Sequence, residues 1–162
     1  MTGRIAERLS QLGLVLPPLP EVPFVEPLNR VAMRAHGDLV YVSGIGPIGE
    51  QGVLGDTLTV EQGYESARRT ALNMLARLEY GLGSLDAIAS WIRILGFVRS
   101  TAAFEEHPLV LNGFSDLIVD VFGDEGRCAR SAIGTSALPL GMPIEVEAVV
   151  SVKPRTDVLA FG

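Results

Sequence analysis

A chain of 162 residues, 48% of them hydrophobic, is long and apolar enough to form one domain with a packed core. Its net charge of −6 disfavours nucleic acid as a partner, because binding to phosphates depends on clustered lysines and arginines. Only 20% of the residues are charged, fewer than a small monomer normally uses to cover its surface. This composition therefore favours an oligomer.

The inventory of reactive side chains excludes several kinds of site. His36 and His107 are the only histidines and Cys128 is the only cysteine, so no metal-ligand spacing occurs and no intrachain disulfide can form. The only lysine, Lys153, lies near the C-terminus just before Pro154, where a solvated side chain is more common than a Schiff-base lysine. Glycine-rich phosphate-binding motifs are missing. We therefore expect neither a metal nor an organic cofactor.

The N-terminal segment predicts a short helix followed by an extended connector. Ile5, Leu9 and Leu12 recur at helical spacing within residues 3–13, and residues 17–27 then contain five prolines. Charged residues interrupt the first segment, so it lacks the unbroken apolar stretch of a leader or a membrane span. We expect a soluble, cytoplasmic protein that does not bind membranes.

A β-hairpin and a glycine-rich loop follow. Two short apolar runs within residues 30–44 meet at His36, Gly37 and Asp38, a turn that glycine can enter with positive φ. Residues 45–58 contain four glycines and one proline. A loop of this length inside a compact domain is often functional.

Two amphipathic helices are predicted from their start signals. Thr59 and Gln62 match a capping box, and apolar residues then follow the helical period as far as Gly81. His107 and Pro108 are typical of the N-cap and first residue of a second helix. Each helix has one apolar face to pack against a sheet.

The remaining strands complete an α+β pattern. Residues 90–100 are nearly continuously apolar, which predicts a central strand buried on both sides, and residues 131–137 predict a strand of small residues. In residues 144–152, Glu145 and Glu147 share one face while apolar residues share the other. The order β-β-α-β-α-β-β predicts an α+β sandwich, with two helices packed on one face of a mixed, mostly antiparallel sheet.

Three segments carry a resemblance to a known family. They are YVSG at 41–44, CARSAIG at 128–134 and LPLGMPIEVEAV at 138–149. Together with the element order, they resemble the reactive intermediate deaminase (Rid, or YjgF) family over residues 29–153. The resemblance assigns residues 1–28 to an N-terminal helix and proline-rich extension and residues 154–162 to a tail.

The resemblance implies a chorismate-mutase-like fold that assembles as a homotrimer, with clefts between neighbouring subunits. Members of the family that carry the conserved arginine hydrolyse reactive 2-imino acids and enamines to 2-oxo acids and ammonia. They need no metal or organic cofactor. The expected ligand is a small imine or oxo acid that bears a carboxylate.

The family's arginine falls on Arg130, its carboxylate on Glu145 and its hairpin serine on Ser43. The other candidates for substrate binding are Gly44, Ser131 and Asn112. The residue types suit the chemistry, since a guanidinium can hold a carboxylate through two parallel hydrogen bonds. A glutamate can orient and deprotonate a water molecule. We therefore expect Arg130 and Glu145 to be the catalytic pair.

Two positions depart from the family's pattern. Arg30 occupies the hairpin position where the family commonly has a tyrosine. Ala132 stands where many relatives have a cysteine, and Cys128 lies before the arginine instead. These differences bear on the size and charge of the substrate pocket.

The spacing of the last two strands limits how the site can be built. In a simple hairpin with Ala137 opposite Ile144, Glu145 would face Ser136, and Arg130 would lie roughly 20 Å away. A small substrate could not contact both side chains. The expected site therefore requires the family's strand order and its trimer.

Other interpretations stay open at this stage. The same arginine cleft could bind a small 2-oxo or amino acid without turnover, and such binding requires Arg130 but not Glu145. Taken alone, Arg130 is typical of a structural ion pair or a surface charge, and Glu145 of the solvated face of an edge strand. Some relatives have been called ribonucleases, which the acidic composition disfavours. Chorismate mutase activity would rest on fold analogy alone.

Overall fold

The computed structural model describes residues 3–19 and 29–154. The helices and strands within them are α1 (Arg4–Gln11), β1 (Met33–His36), β2 (Leu39–Ile45), α2 (Val60–Leu82), β3 (Ile88–Arg99), α3 (His107–Phe122), β4 (Ala129–Thr135) and β5 (Ile144–Val152). Short 3-10 turns lie at residues 85–87, 123–126 and 139–141.

The five strands form one mixed sheet in the order β1-β2-β5-β3-β4. Neighbouring strands are antiparallel except β3 and β4, which are parallel. A parallel pair needs a crossover connection, and α3 supplies it between these two strands. Three helices packed on a mixed five-stranded sheet confirm the predicted α+β fold, and β3 separates β4 from β5 so that they do not form a hairpin.

Local signals set the bounds of α2. The side chain of Thr59 accepts a hydrogen bond from the Gln62 N–H (3.3 Å), and the Gln62 side chain accepts one from the Thr59 N–H (2.9 Å), which confirms the capping box. The helix ends at Gly83, whose φ of 76° is favourable only for glycine. The β1–β2 hairpin likewise turns at Gly37, with φ of 57°.

The core lies between the helices and one face of the sheet. Trp91 on β3 packs edge-on against Phe114 and Phe122 of α3, with ring centroids 5.9 Å apart in both pairs. In α1, Ile5 and Leu9 join this core, and Arg8 Nε donates to a backbone carbonyl of α3 at 2.8 Å. The N-terminal helix is therefore packed onto the same core. Of the helices described, none is long and apolar enough to cross a bilayer.

Three local predictions differ from the structure. Strand β3 is not buried on both sides within this chain, because Ile94 and Val98 face the helices while Leu95 and Phe97, which alternate with them, are only partly buried. Helix α3 begins at His107, so Glu106 is its N-cap. The His107 ring instead pairs with Ser100 Oγ at 3.0 Å. Strand β4 begins and ends two residues earlier than predicted, because its register follows its pairing with β3.

Gly113 sets the close approach of α3 to α2. A β-carbon there would collide with the backbone carbonyl of Tyr64, which cannot move without shifting a helix. We expect Gly113→Ala to lower the free energy of unfolding by about 1–3 kcal/mol, the usual cost of overpacking, measured by denaturant titration. Gly81→Ala is the matched control, because a β-carbon at that helical glycine meets only the flexible end of Met33. Equal unfolding free energies for the two variants would contradict this account.

Candidate functional site

A cavity of about 170 Å³ opens between β2, α2, β5 and the turn at 139–141. Its lining combines glycine and apolar residues with four polar side chains, namely Arg30, Ser43, Arg77 and Glu145. Gly44 forms part of its wall. The structure therefore brings together Ser43, Gly44 and Glu145, three of the residues that the sequence predicts for the site.

A bulge in β2 shapes the wall of this cavity. Val42 pairs with Ala148 of β5, and Ile45 pairs with Val146, so β2 takes one more residue than β5 between these pairs. The extra length falls at Ser43–Gly44. The Glu145 side chain lies against Gly44, where any β-carbon would collide with the carboxylate. Glycine is thus required for the close approach between the bulge and the carboxylate.

Ser43 is fixed by hydrogen bonds on three sides. Its backbone N–H donates to the carbonyl of Ala32 (3.0 Å), and its hydroxyl donates to the carbonyl of Val31 (2.7 Å). Its own carbonyl accepts from Arg77 Nη1 at 3.4 Å. Because the hydroxyl proton is already donated, the oxygen has its lone pairs to offer a ligand.

Burial raises the pKa of the Glu145 carboxyl above its ordinary value. The positive charge of Arg30 lowers this pKa, and the negative charge of Glu147 raises it, so that the pKa remains raised. The alternation of β5 places both glutamates on the face of the sheet away from the helices. A partly buried carboxyl of this kind is suited to general acid–base chemistry.

Arg130 lies outside this cavity, on the edge strand β4. Its Nη1 donates to Ser115 Oγ (2.9 Å) and its Nη2 donates to Asn112 Oδ1 (2.7 Å), both on α3. These bonds hold the guanidinium in one orientation and leave three of its five N–H groups for a ligand. Among the residues that the structure describes, no carboxylate lies within 4.0 Å of it.

One chain does not bring Arg130 and Glu145 together. Arg130 pairs with Ile94 of β3, and Glu145 pairs with Phe97 of the same strand. They are therefore two strands and three residues apart, which puts their Cα atoms about 14 Å from each other. Arg130 also reaches toward α3, whereas Glu145 lies on the opposite face of the sheet. A small ligand cannot contact both within a single chain.

The two remaining predicted residues lie near Arg130 rather than in the cavity. Asn112 contacts Arg130 directly through its side-chain oxygen. Ser131 is exposed on β4, opposite Leu95 of β3, and alternation places it on the face away from α3. The predicted site is thus divided into a Glu145 part and an Arg130 part.

Sequence reasoning missed Arg77 and Ser115. A signal for Arg77 is present, since Thr70, Asn73 and Arg77 follow a spacing of three and four residues along one margin of the apolar face of α2. Asn73 Nδ2 donates to the carbonyl of Gly46 in the cavity wall at 3.0 Å, so this margin holds the cavity in place. Ser115 follows Asn112 by three residues and therefore lies on the same face of α3.

The other reactive groups do not form a second catalytic centre in the described ranges. No cluster of three or more His, Cys, Asp or Glu side chains there could hold a metal ion. Burial raises the pKa of the Cys128 thiol, despite the nearby charge of Arg130, so its reactive thiolate is disfavoured. The His107 ring pairs with Ser100 Oγ rather than with this thiol.

The family profile described as "YjgF/chorismate mutase-like, putative endoribonuclease" matches residues 7–150. The chain belongs to the YjgF/Rid family. Protein TCP17 of Trypanosoma cruzi is 38% identical to it over an alignment of 155 residues, and the match covers 92% of this chain and 94% of that protein. The match confirms the family that the segments at 41–44, 128–134 and 138–149 predicted.

Two solved structures resemble the chain over more than nine tenths of its length. Atu1372 of Agrobacterium tumefaciens, a protein of unknown function, is 36% identical with a TM-score of 0.81, and 92% of each chain is covered. A Shewanella oneidensis protein described as a putative endoribonuclease is 30% identical with a TM-score of 0.84, covering 93% of this chain and 100% of its own. The YjgF/Rid fold therefore accounts for nearly the whole chain.

Because folding raises the pKa of Glu145, ionisation of this carboxyl lowers the free energy of unfolding. A carboxyl whose pKa is higher in the folded than in the unfolded chain contributes stability below the unfolded pKa, and this contribution is lost as the pH rises through the folded pKa. We therefore expect Glu145→Gln to raise the unfolding temperature at about pH 7 and to lose that advantage near pH 4, where an ordinary glutamate is largely protonated.

Glu61→Gln is the matched control for this thermal series. The pKa of Glu61 is lowered, first by its own backbone N–H and then by the Thr59 side chain, so its ionised form is favoured in the folded chain. Removing its charge should not stabilise the protein at neutral pH. The same stabilisation from both variants would contradict the role assigned to burial of Glu145.

Proposed function

We propose that this protein hydrolyses reactive 2-imino acids and their enamine tautomers to 2-oxo acids and ammonia. The site is a cleft completed by a second copy of the chain in a homotrimer. In the overall reaction, water adds to the C=N carbon, the C–N bond breaks, a C=O bond forms and ammonia leaves. No redox step and no further reactant are required.

The observation that carries this proposal is the Glu145 carboxylate in the small cavity beside Ser43 and Gly44. Its raised pKa makes the ionised carboxylate a stronger base than that of an exposed glutamate. Ser43 offers a hydrogen-bond acceptor to an iminium N–H. The group needed to activate water is therefore present in a space of the right size for a small acid.

A neighbouring subunit supplies the second half of the site in this proposal. The open face of the sheet carries apolar side chains that one chain leaves partly uncovered, among them Tyr41 (48% exposed) and Ile133 (46% exposed). A face of this kind on a small protein is typical of a subunit contact. Association through it, and along the unpaired edge of β4, would bring Arg130 of one subunit to Glu145 of the next.

The residues then have distinct roles. Arg130 binds the substrate carboxylate with the N–H groups that Asn112 and Ser115 leave free, which fixes the C=N carbon near Glu145. Glu145 takes a proton from the attacking water as the new C–O bond forms. With the substrate reacting as its iminium, Glu145 returns that proton to the nitrogen of the tetrahedral intermediate. As the C–N bond breaks and ammonia departs, the hydroxyl proton passes to Glu145 and then to solvent, and the carbonyl forms.

Binding without turnover is the second candidate function. Arg30 and Arg77 line the same cavity, and two guanidinium groups in so small a space suit an anionic metabolite whether or not it reacts. Turnover separates the two candidates because only hydrolysis requires Glu145. The relatives described as putative endoribonucleases suggest a third activity, which the net charge of −6 disfavours.

Ammonia release from freshly generated 2-imino acids tests the deaminase proposal directly. We expect the wild-type protein to exceed the spontaneous rate, and we expect Glu145→Gln and Arg130→Ala each to reduce kcat/KM by about 100-fold or more, as loss of a general base or a charge clamp does. Arg127→Ala is the matched control, because that exposed arginine pairs only with Asp124 three residues away. Undiminished activity in Arg130→Ala would exclude the carboxylate clamp.

Mixed trimers test whether two copies build one site. Co-expressed Arg130→Ala and Glu145→Gln chains should recover activity, because about a quarter of the interfaces then combine an intact Arg130 with an intact Glu145 from different subunits. Each variant alone should stay inactive. Mass measurement in solution should give three chains per particle. A monomer, or mixed trimers without any recovery, would refute the shared cleft.

The pH profile tests the role of Glu145 as the base. Since the base must be ionised, kcat/KM should fall as the pH drops through the raised pKa of Glu145. Glu147→Gln removes a negative charge that raises this pKa, so the acid limb of the profile should move to lower pH. Glu105→Gln, in the exposed segment before α3, is the control. An acid limb that Glu147→Gln leaves in place would assign the proton transfer to another group.

A further inference from the structure

We propose that Arg77 and Arg30 form a second anion-binding subsite in the Glu145 cavity, and that the preferred ligand is a 2-oxo or 2-imino acid whose side chain carries a second carboxylate. The preference for such an imino acid as a substrate rests on the proposed deaminase function. Binding of such an oxo acid as a ligand depends only on the cavity and can be measured without turnover.

Arg77 is the most unusual charged residue of the described chain. It lies on α2, its exposed fraction is only 9%, and it lines the cavity. Its one hydrogen bond there is the 3.4 Å contact from Nη1 to the carbonyl of Ser43, near the limit of such a bond. An unpaired buried charge is costly, so the remaining N–H groups of this guanidinium are expected to donate to a hydrogen-bond acceptor, which a ligand can supply.

Other arginines of the chain show what a structural pairing looks like here. Arg69 pairs through two of its nitrogens with the carboxylate of Glu50, and Arg127 pairs with Asp124. Arg77 has no carboxylate within 4.0 Å in the described ranges, although it is more buried than either of them. It is thus a buried cation that is held in place without a counter-ion.

The charges around Arg77 also favour an added anion. Burial lowers the pKa of Arg77, and the positive charge of Arg30 lowers it further, so the two guanidinium groups repel each other. A carboxylate between them would offset both effects through charge-assisted hydrogen bonds. Glu145 forms no ion pair with either arginine in the described chain, so their N–H groups are not already used by it.

The size and layout of the cavity indicate the class of ligand. A volume of about 170 Å³ corresponds to roughly six water molecules at the volume each occupies in the liquid, enough for part of a small organic acid. In the proposed trimer, Arg130 of the neighbouring subunit holds the carboxylate next to the reacting carbon. A second carboxylate at the other end of the molecule would then meet Arg77 and Arg30, with the C=N carbon beside Glu145.

Calorimetric titration of the full chain tests the subsite without any turnover. The probes are 2-oxoglutarate and 5-methyl-2-oxohexanoate, in which two methyl groups replace the two oxygens of the second carboxylate. We expect the wild-type protein to bind 2-oxoglutarate at least about tenfold more tightly, equivalent to about 1.4 kcal/mol. The ratio should fall to about one in Arg77→Leu and persist in part in Arg77→Lys. Arg68→Leu, on the same helix outside the cavity, should keep the wild-type ratio.

Equal affinity of the wild type for the two probes would overturn the subsite, as would a preference that survives Arg77→Leu. Replacing the buried Arg77 can unfold the chain, so Arg30→Gln provides a second test at an exposed residue of the same cavity. It should lower the affinity ratio as well. An unchanged ratio in Arg30→Gln would remove Arg30 from the subsite and overturn the paired arrangement.

Turnover distinguishes failure of this inference from failure of the deaminase proposal. The imino acids derived from glutamate and from 5-methylnorleucine are generated in situ by an amino-acid oxidase, and the two values of kcat/KM are compared. Hydrolysis of both without an Arg77-dependent preference would keep the deaminase function and overturn the subsite. Tight, Arg77-dependent binding of 2-oxoglutarate with no hydrolysis of either imino acid would keep the subsite and overturn the deaminase function.

Discussion

The position of β3 between β5 and β4 is the constraint on which the rest of the site depends. Because β3 and β4 are parallel, the chain must cross one face of the sheet between them, and the crossover is α3. The helix that makes the connection also supplies Asn112 and Ser115, which hold Arg130. The same strand order keeps Glu145 two strands away. One topological choice therefore both orients the arginine and separates it from the carboxylate.

A second constraint acts on the Glu145 side, where β2 and α2 shape one small space. The extra residue of β2 at Ser43–Gly44 leaves room for the glutamate side chain only because Gly44 has no β-carbon. From the other side, α2 bonds the wall through Asn73 and introduces Arg77. The capping box at Thr59 fixes where this helix starts and thereby which of its residues face the cavity. Backbone geometry thus determines the charges that a ligand meets.

The elements that the sequence predicted correctly are those specified by neighbouring residues. The capping box, the turn at Gly37 and the alternation of β5 depend on a few adjacent positions, and the structure has all three. The place of Arg77 in the cavity could not be predicted in this way. It depends on the register of β2 against β5 and on the packing of α2 over them, which are contacts between residues far apart in the chain. Family resemblance proposed Glu145 and Ser43 as candidates, whereas it offered nothing for an arginine that lies outside the family's motifs.

The partial exposure of β3 has a physical explanation in the proposed trimer. A strand this apolar is normally covered on both faces, yet Leu95 and Phe97 are only partly buried on the side away from the helices. Leaving such side chains in water forfeits the free energy of burying them, about 25 cal/mol for each Å² of apolar surface. A second copy of the chain that covers this face would recover that free energy. It would also enclose Glu145, which shares the face with Phe97. Loss of water there would raise the pKa of its carboxyl, whereas the guanidinium of Arg130 from the second copy would lower it. In the proposed trimer, oligomer formation and completion of the site then have the same cause, the removal of water from one face of the sheet.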